Sequence, residues 1–174
     1  YEESEKILFS ADAFGKFGAM NAQEEWDEEA RRYYFNIVGK YGAQAQALLK
    51  KAAGLEISAI YPLHGPLLKD NLAHYIGKYQ LWSSYTPEES GVLIAYASIY
   101  GHTSQAAKAL SDMLSRRGVK STLRDLARTD VSYCLADAFK YDKMVLASAS
   151  YDGGIFPPME EFLHHLKAQN YRER

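Results

Sequence analysis

Two side chains in the first half of the chain have the chemistry of metal ligands. Asp12 lies in "LFSADAFGKFGA" and His64 in "IYPLHGPLL". Each follows a short apolar run that reads as a strand. Each then sits on a restrained loop, Asp12 beside Gly15 and Gly18, His64 between Pro62 and Pro66. A carboxylate and an imidazole, each at a strand end on a restrained loop, are plausible metal ligands. Two donors are too few for a complete site, and each has a plainer alternative: Asp12 as a turn or cap residue, His64 as a hydrogen-bonded loop histidine.

The second half offers a different chemistry. "SIYGHTS" ends one apolar run and opens a helical pattern, and it contains Ser98, Ile99, Tyr100, Gly101, His102 and Thr103. A helix start presents unpaired backbone N–H groups and a partial positive charge. Ser98, Thr103 and Ser104 add hydroxyl donors, and Gly101 permits close backbone approach. Together they can hold a phosphate dianion without lysine or arginine. The alternative is an ordinary strand-to-helix turn capped by serine or threonine. "SASYDGG" repeats the pattern at a later strand end, with Ala149, Ser150, Tyr151, Asp152 and Gly153. Two such loops on neighbouring strands would flank one planar, phosphorylated ligand. Tyr151 would stack on its ring and Tyr100 would line the same pocket. A half-buried loop aromatic is the alternative for Tyr151.

The elements that must position these residues follow from periodicity. A short strand over 7–9 precedes a long helical pattern over 24–53. Its apolar positions Ala30, Tyr34, Ile37, Val38, Tyr41, Ala45, Leu48, Leu49 and Ala52 share one face. Gly54 is placed to stop it. "LEISAIY" reads as a strand and 71–82 as a helix. The polar stretch "SSYTPEESG" divides the chain into a domain over 1–84, a linker over 85–90 and a domain over 91–174. Strands at 92–97, 119–126 and "KMVLASAS" then alternate with helices at 103–117, 131–141 and "FPPMEEFLHHLKAQ". Ala106, Ala107, Leu110, Met113 and Leu114 form the expected inner face of the first of these helices. This alternation predicts right-handed crossovers and a parallel sheet with helices on both faces. Ligands of such sheets bind at the carboxyl ends of the strands.

Composition narrows the classes. The chain has 174 residues, 47% hydrophobic and 24% charged, with a formal net charge of -2. That supports a packed core and shows no basic footprint for nucleic acid. No apolar run approaches the roughly 20 residues that span a bilayer. The single cysteine, Cys134, permits no intrachain disulfide and suits a reducing, cytoplasmic compartment. A first residue of Tyr1 suggests a processed form or a fragment. Arg31 and Arg32 are expected as surface partners of the acidic run "QEEWDEEA". His164 and His165, consecutive on a helix, should point apart.

The order of segments resembles one family. "FSADAFGKFGA", "RRYYFNIVGKY", "YPLHGP", a tyrosine-rich helix, "YQLWSSY" and then the phosphate-type loop are similar to the flavodiiron proteins. These join a metallo-β-lactamase-like αββα domain to a flavodoxin-like domain. Ser98, Gly101 and Thr103 fall on the flavodoxin FMN phosphate loop. Ala149, Ser150 and Asp152 stand where the second flavin loop usually has Pro, Thr and Asn. The resemblance implies an α/β chain: the C-terminal part of an αββα domain, then the first half of a flavodoxin-like parallel sheet. It implies that Asp12 is an iron ligand bridging two metals and His64 a terminal one. The family's H-x-E-x-D-H ligands and third flavin loop have no counterpart in this sequence, and His74, His102, His164 and His165 match no ligand position.

By the same resemblance the expected activity is reduction of O2 to water or of NO to N2O at two irons fed by FMN. Rubredoxin or a similar donor would supply electrons, and a head-to-tail homodimer would form. Tyr33, Tyr34, Tyr75 and Tyr79 would serve that interface or, alternatively, pack the layers. The rival readings are a flavodoxin-type electron carrier, a zinc hydrolase of metallo-β-lactamase type, and a fragment that binds nothing.

Overall fold

The structure, a computed structural model, describes residues 1–19, 21 and 25–171. Two compact units divide the chain, Tyr1–Thr86 and Pro87–Arg174. The first mixes helices with a short parallel sheet, and the second has the parallel sheet that its alternating rhythm predicts. Among the described residues no helix is long and apolar enough to cross a membrane.

In the first unit β1 (Ile7–Ala11) pairs in parallel with β2 (Ala59–Pro62), Leu8 opposite Ile60 and Phe9 opposite Tyr61. Side chains alternate across a strand, so Leu8 and Ser10 are buried while Phe9 stays 61% exposed. Helices α1 (Trp26–Tyr33), α2 (Gly42–Ala52) and α3 (Leu72–Ser83) complete the unit. Its core is aromatic. The rings of Tyr34 and Tyr79 lie 5.1 Å apart, Tyr34 and Trp82 5.6 Å, and Trp26 stacks on Trp82 at 5.9 Å. Tyr34, Tyr79 and Trp82 are fully buried, so Tyr34 and Tyr79 pack the layers.

The helix expected over 24–53 is not continuous, and its Glu24 start lies outside the described residues. After α1 the backbone widens into a π-turn, Tyr34–Val38, tightens into a 3-10 turn, Gly39–Tyr41, and only then resumes as α2. A π-turn inserts an extra residue and rotates the helix beyond it. The single apolar face drawn for a constant twist therefore breaks up, leaving Ile37, Tyr41 and Leu48 exposed. The glycines allow close packing beside the turns. A Cβ on Gly42 would stand 2.6 Å from the Ser83 carbonyl oxygen, and the Gly39 carbonyl accepts the Tyr85 hydroxyl at 2.7 Å. Arg31 is also not the surface residue expected. It is buried and pairs with Glu28 at 3.1 Å, while Arg32 pairs with Glu29 at 3.0 Å and lies over the Phe17 ring. The arginines' long stems cover apolar surface as their heads reach the acids.

In the second unit β3 (Glu89–Ala97) is the central strand. β4 (Ser121–Asp125) and β5 (Tyr141–Ser148) flank it, both parallel, with Ile94 opposite Leu123 and Val145. Glu89 and Ser90, expected in the linker, are already part of β3, where Glu89 pairs with Lys120 and Lys140. Helices α4 (His102–Arg116), α5 (Val131–Lys140) and α6 (Pro157–Ala168) follow the strands. Asp130 caps α5 by accepting the Ser132 N–H at 2.9 Å. Val92, Ile94, Tyr96 and Ala107 form a core cluster with Leu110, Leu114, Leu123 and Val145. Ala106 and Met113 are exposed, so the inner face of α4 is narrower than its periodicity suggested. Cys134 is buried, as its apolar helix face implied, and burial pushes its thiol up to about 12.

One element was not legible beforehand. β6 (Ser150–Tyr151) and β7 (Gly154–Ile155) form a small antiparallel hairpin. Its two-residue turn is Asp152 and Gly153, both left-handed at φ 46° and 73°. That is the conformation Asp-Gly favours in a primed hairpin turn.

Candidate functional site

Asp12 and His64 converge. β1 and β2 run parallel, so their carboxyl ends lie side by side, and each candidate follows one of them. The register of β1 slips between Phe9 and Ala11. Such a bulge re-aims the residues beyond it. Ala11 takes φ 51°, and its carbonyl accepts the Leu63 N–H at 2.9 Å, tying the two loops together. The Lys16 N–H donates to the His64 carbonyl at 3.2 Å. Gly15 fits where a Cβ would stand 3.0 Å from the His64 carbonyl oxygen and 3.2 Å from that of Asp12. The outcome is a separation of 3.5 Å between Asp12 Oδ1 and His64 Nε2, with both side chains more than half exposed.

These two side chains open into a cavity of about 650 Å³ that Lys16, Phe17, Tyr33 and Ile37 also line. The Tyr33 hydroxyl donates to Asp12 Oδ1 at 3.1 Å, and its ring lies 5.8 Å from the His64 ring. Burial, followed by the bond to Asp12, pushes the Tyr33 phenol up to about 12, so it remains a donor at neutral pH. Spacing along the chain gave no sign of this contact, because Tyr33 reaches the site from the end of α1, just before the π-turn. π-turns are frequent at functional sites.

The donor chemistry fits a metal in part. Two ligands each about 2.1 Å from one ion stand roughly 3 Å apart, and 3.5 Å is close to that. Among the described residues no cluster of three His, Cys, Asp or Glu forms, so Asp12 and His64 alone provide an incomplete set. Tyr33 is the kind of outer partner that orients a ligating carboxylate.

The second site lies at the carboxyl ends of β3 and β5. Ser98, Ile99, Tyr100, His102, Thr103, Ala149 and Ser150 surround one cleft of about 150 Å³. Gly101, at φ 92°, has open space about its Cα and no side chain caps the start of α4. The first-turn N–H groups are therefore free of a side-chain cap, as a phosphate site requires. The Ser98 hydroxyl accepts the Gly101 N–H at 3.1 Å and pins the loop. Tyr100 is 87% exposed, with its ring open to stacking. The expected residues are not all in this cleft. Gly101 and Ser104 line a neighbouring cleft with Lys108, Asp125 and Arg128. Tyr151, Asp152 and Gly153 belong to the hairpin, where the Tyr151 ring lies 5.9 Å from that of Phe156. His164 and His165 are far from a shared ligand geometry, their rings 6.3 Å apart and nearly perpendicular.

Comparison with known proteins accords with both halves. Residues 94–173 match the flavodoxin family model. The anaerobic nitric oxide reductase flavorubredoxin of Aeromonas salmonicida is 25% identical over 185 residues, covering all of this chain and 35% of its own length. The rubredoxin:oxygen oxidoreductase of the anaerobe Desulfovibrio gigas is 25% identical, with a TM-score of 0.84 over 95% of this chain and 44% of that one. The flavodiiron protein of Giardia intestinalis shares the fold, with a TM-score of 0.89 over 96% of this chain and 43% of that one at 24% identity. The chain thus spans less than half the length of each of these relatives. Along nearly its whole length the chain is thus similar to flavodiiron-type oxidoreductases, and its second unit matches the flavodoxin family model.

Proposed function

We propose that the protein is an oxidoreductase that reduces O2 to water or NO to N2O at a non-haem diiron site fed by FMN. The convergence of Asp12 and His64, 3.5 Å apart at neighbouring strand ends, carries this reading. The activities for which the Aeromonas and Desulfovibrio relatives are named, nitric oxide reductase and rubredoxin:oxygen oxidoreductase, support it. When bound, the flavin supplies single electrons and the irons supply the redox change at the substrate. Asp12 and His64 would hold iron, with further ligands from outside the described residues. Tyr33 keeps the Asp12 carboxylate oriented and neutralises part of its charge by hydrogen bonding. Ser98, Thr103 and the first N–H groups of α4 would hold the FMN phosphate, and Tyr100 would cover the ring. Rubredoxin or a similar small protein is the donor we infer, and a head-to-tail homodimer would bring the flavin of one subunit to the irons of the other. A single buried cysteine suits a cytoplasmic location.

The test uses the protein at its native length. Asp12→Ala and His64→Ala should each lower iron content and abolish gas consumption. Flavin absorbance near about 450 nm should persist in both. A native preparation holding zinc and no iron would overturn the proposal. So would undiminished O2 and NO reduction in Asp12→Ala.

A further inference from the structure

The second unit has a polar cleft that the flavin and iron assignments leave unused. It is open to solvent, measures about 350 Å³ and lies at the carboxyl ends of β3 and β4. The cleft assigned to FMN lies at the ends of β3 and β5. β4 and β5 flank β3 on opposite sides, so Ser98 and Ile99 form a wall common to both clefts.

Three elements bring donors to this cleft. Alternation along β3 places Val92, Ile94 and Tyr96 on the face that packs against Ala107 of α4. Tyr96 is the last of that row, 7% exposed, and it reaches the cleft. The Ser104 hydroxyl donates to the Tyr96 oxygen over a long 3.5 Å. The Tyr96 proton itself meets no acceptor among the described residues. Ser104 and Lys108, four residues apart on α4, share a helix face, and both line the cleft. Lys108 is exposed and pairs with no acid among the described residues. Arg128 comes from the turn after β4, which the Leu126 N–H ties to the Tyr96 carbonyl at 2.8 Å. Asp125 accepts one Arg128 N–H at 2.7 Å and the Ala127 N–H at 3.1 Å. A guanidinium has further N–H donors to give.

The lining therefore sets two cations against one carboxylate and has more free donors than acceptors. We propose that this cleft binds a phosphate monoester, with Arg128 and Lys108 on the phosphate oxygens and the Tyr96 and Ser104 hydroxyls donating beside them. The planar fork of arginine matches phosphate geometry, and the lysine ammonium acts as a point charge. At about 350 Å³ the cleft falls within the range of small-molecule sites, roughly 300 to 1,000 Å³, which leaves room for a sugar beside the phosphate. This site goes beyond the oxidoreductase reading, which uses the FMN cleft alone.

The probes are ribose 5-phosphate, inorganic phosphate and ribose, titrated by calorimetry into the native-length protein loaded with FMN. Filling the FMN cleft first keeps the probes out of it. Ribose 5-phosphate should bind once per chain, phosphate more weakly, and ribose not at all. Crystals soaked in ribose 5-phosphate should show its phosphate between Lys108 and Arg128. Lys108→Ala and Arg128→Ala should each weaken binding about tenfold, the loss expected for a hydrogen bond to a charged group. Tyr96→Phe should weaken it too, with circular dichroism native in all three variants. Binding of neither phosphate compound, a phosphate found elsewhere, or undiminished binding in both cation variants overturns the proposal. Equal affinity for phosphate and ribose 5-phosphate overturns the place given to the sugar. A protein that takes up no FMN sinks the proposed function instead. The cleft is then tested in Thr103→Glu, where ribose 5-phosphate should still bind and its failure to do so overturns the site.

Discussion

The Tyr33 hydroxyl donates to Asp12 Oδ1 at 3.1 Å across 21 residues of sequence. The bond places a neutral donor against a carboxylate that also stands 3.5 Å from His64. It shows how the end of α1 enters the geometry of two strand-end loops.

Tyr33→Phe should therefore weaken metal binding without unfolding the unit. Loss of an outer partner of this kind costs about tenfold to a hundredfold in metal affinity. Chelator competition would read this loss. Because the phenol is pushed up to about 12, the affinity difference between the two proteins should be constant from about pH 6 to 9.

Thr103→Glu tests the phosphate loop. A carboxylate at the start of α4 would face the FMN phosphate across a few ångströms. FMN affinity should fall by at least about a hundredfold through like-charge repulsion. Riboflavin, which has no phosphate, should bind both proteins alike in fluorescence titrations. Equal loss of both ligands would point to a damaged loop.

Gly42→Ala should destabilise the first unit, against the usual trend. Replacing glycine by alanine inside a helix ordinarily gains up to about 1 kcal/mol. Here the new methyl would stand 2.6 Å from the Ser83 carbonyl oxygen and 3.0 Å from the Tyr85 ring. A loss of about 2 kcal/mol is expected from such overpacking, read as a lower urea midpoint.

Asp27 makes the first unit sensitive to acid. Its carboxylate joins α1 to α3, 2.6 Å from His74 Nε2 and 2.9 Å from Lys78 Nζ. Burial alone would raise its pKa, but the hydrogen bonds from Lys78 and His74 outweigh burial and hold it below the usual carboxylate value. A depressed folded pKa means that folding favours the ionised form. The stability is present above the unfolded value of about 3.9 and is lost as pH falls through the folded one. Asp27→Asn should cost about 1 kcal/mol at neutral pH, modest because the group is partly exposed. Urea midpoints of Asp27→Asn should then fall less steeply than those of the parent protein below about pH 4.

The local rules of the chain were enough for much of the architecture. Strand-helix alternation after residue 90 carried the parallel sheet of the second unit, because apolar period and turn residues act over a few positions. The residue types at Asp12, His64, Ser98 and Thr103 suggested metal and phosphate chemistry, each beside a plainer structural reading. Tertiary structure alone decided the rest. Ala11 and Phe14 adopt left-handed backbones that neither side chain signals, since only packing and cross-loop hydrogen bonds stabilise them. The π-turn at Tyr34–Val38 breaks a helix whose periodicity looked unbroken. The hairpin turn at Asp152 had a local signal in its Asp-Gly pair, which the reading of the segment as a second ligand loop passed over. The meeting of Tyr33 with Asp12, and of Asp12 with His64, depends on parallel pairing between strands far apart in sequence. Contacts of that range are set by the global free-energy minimum, to which no short stretch of residues has access.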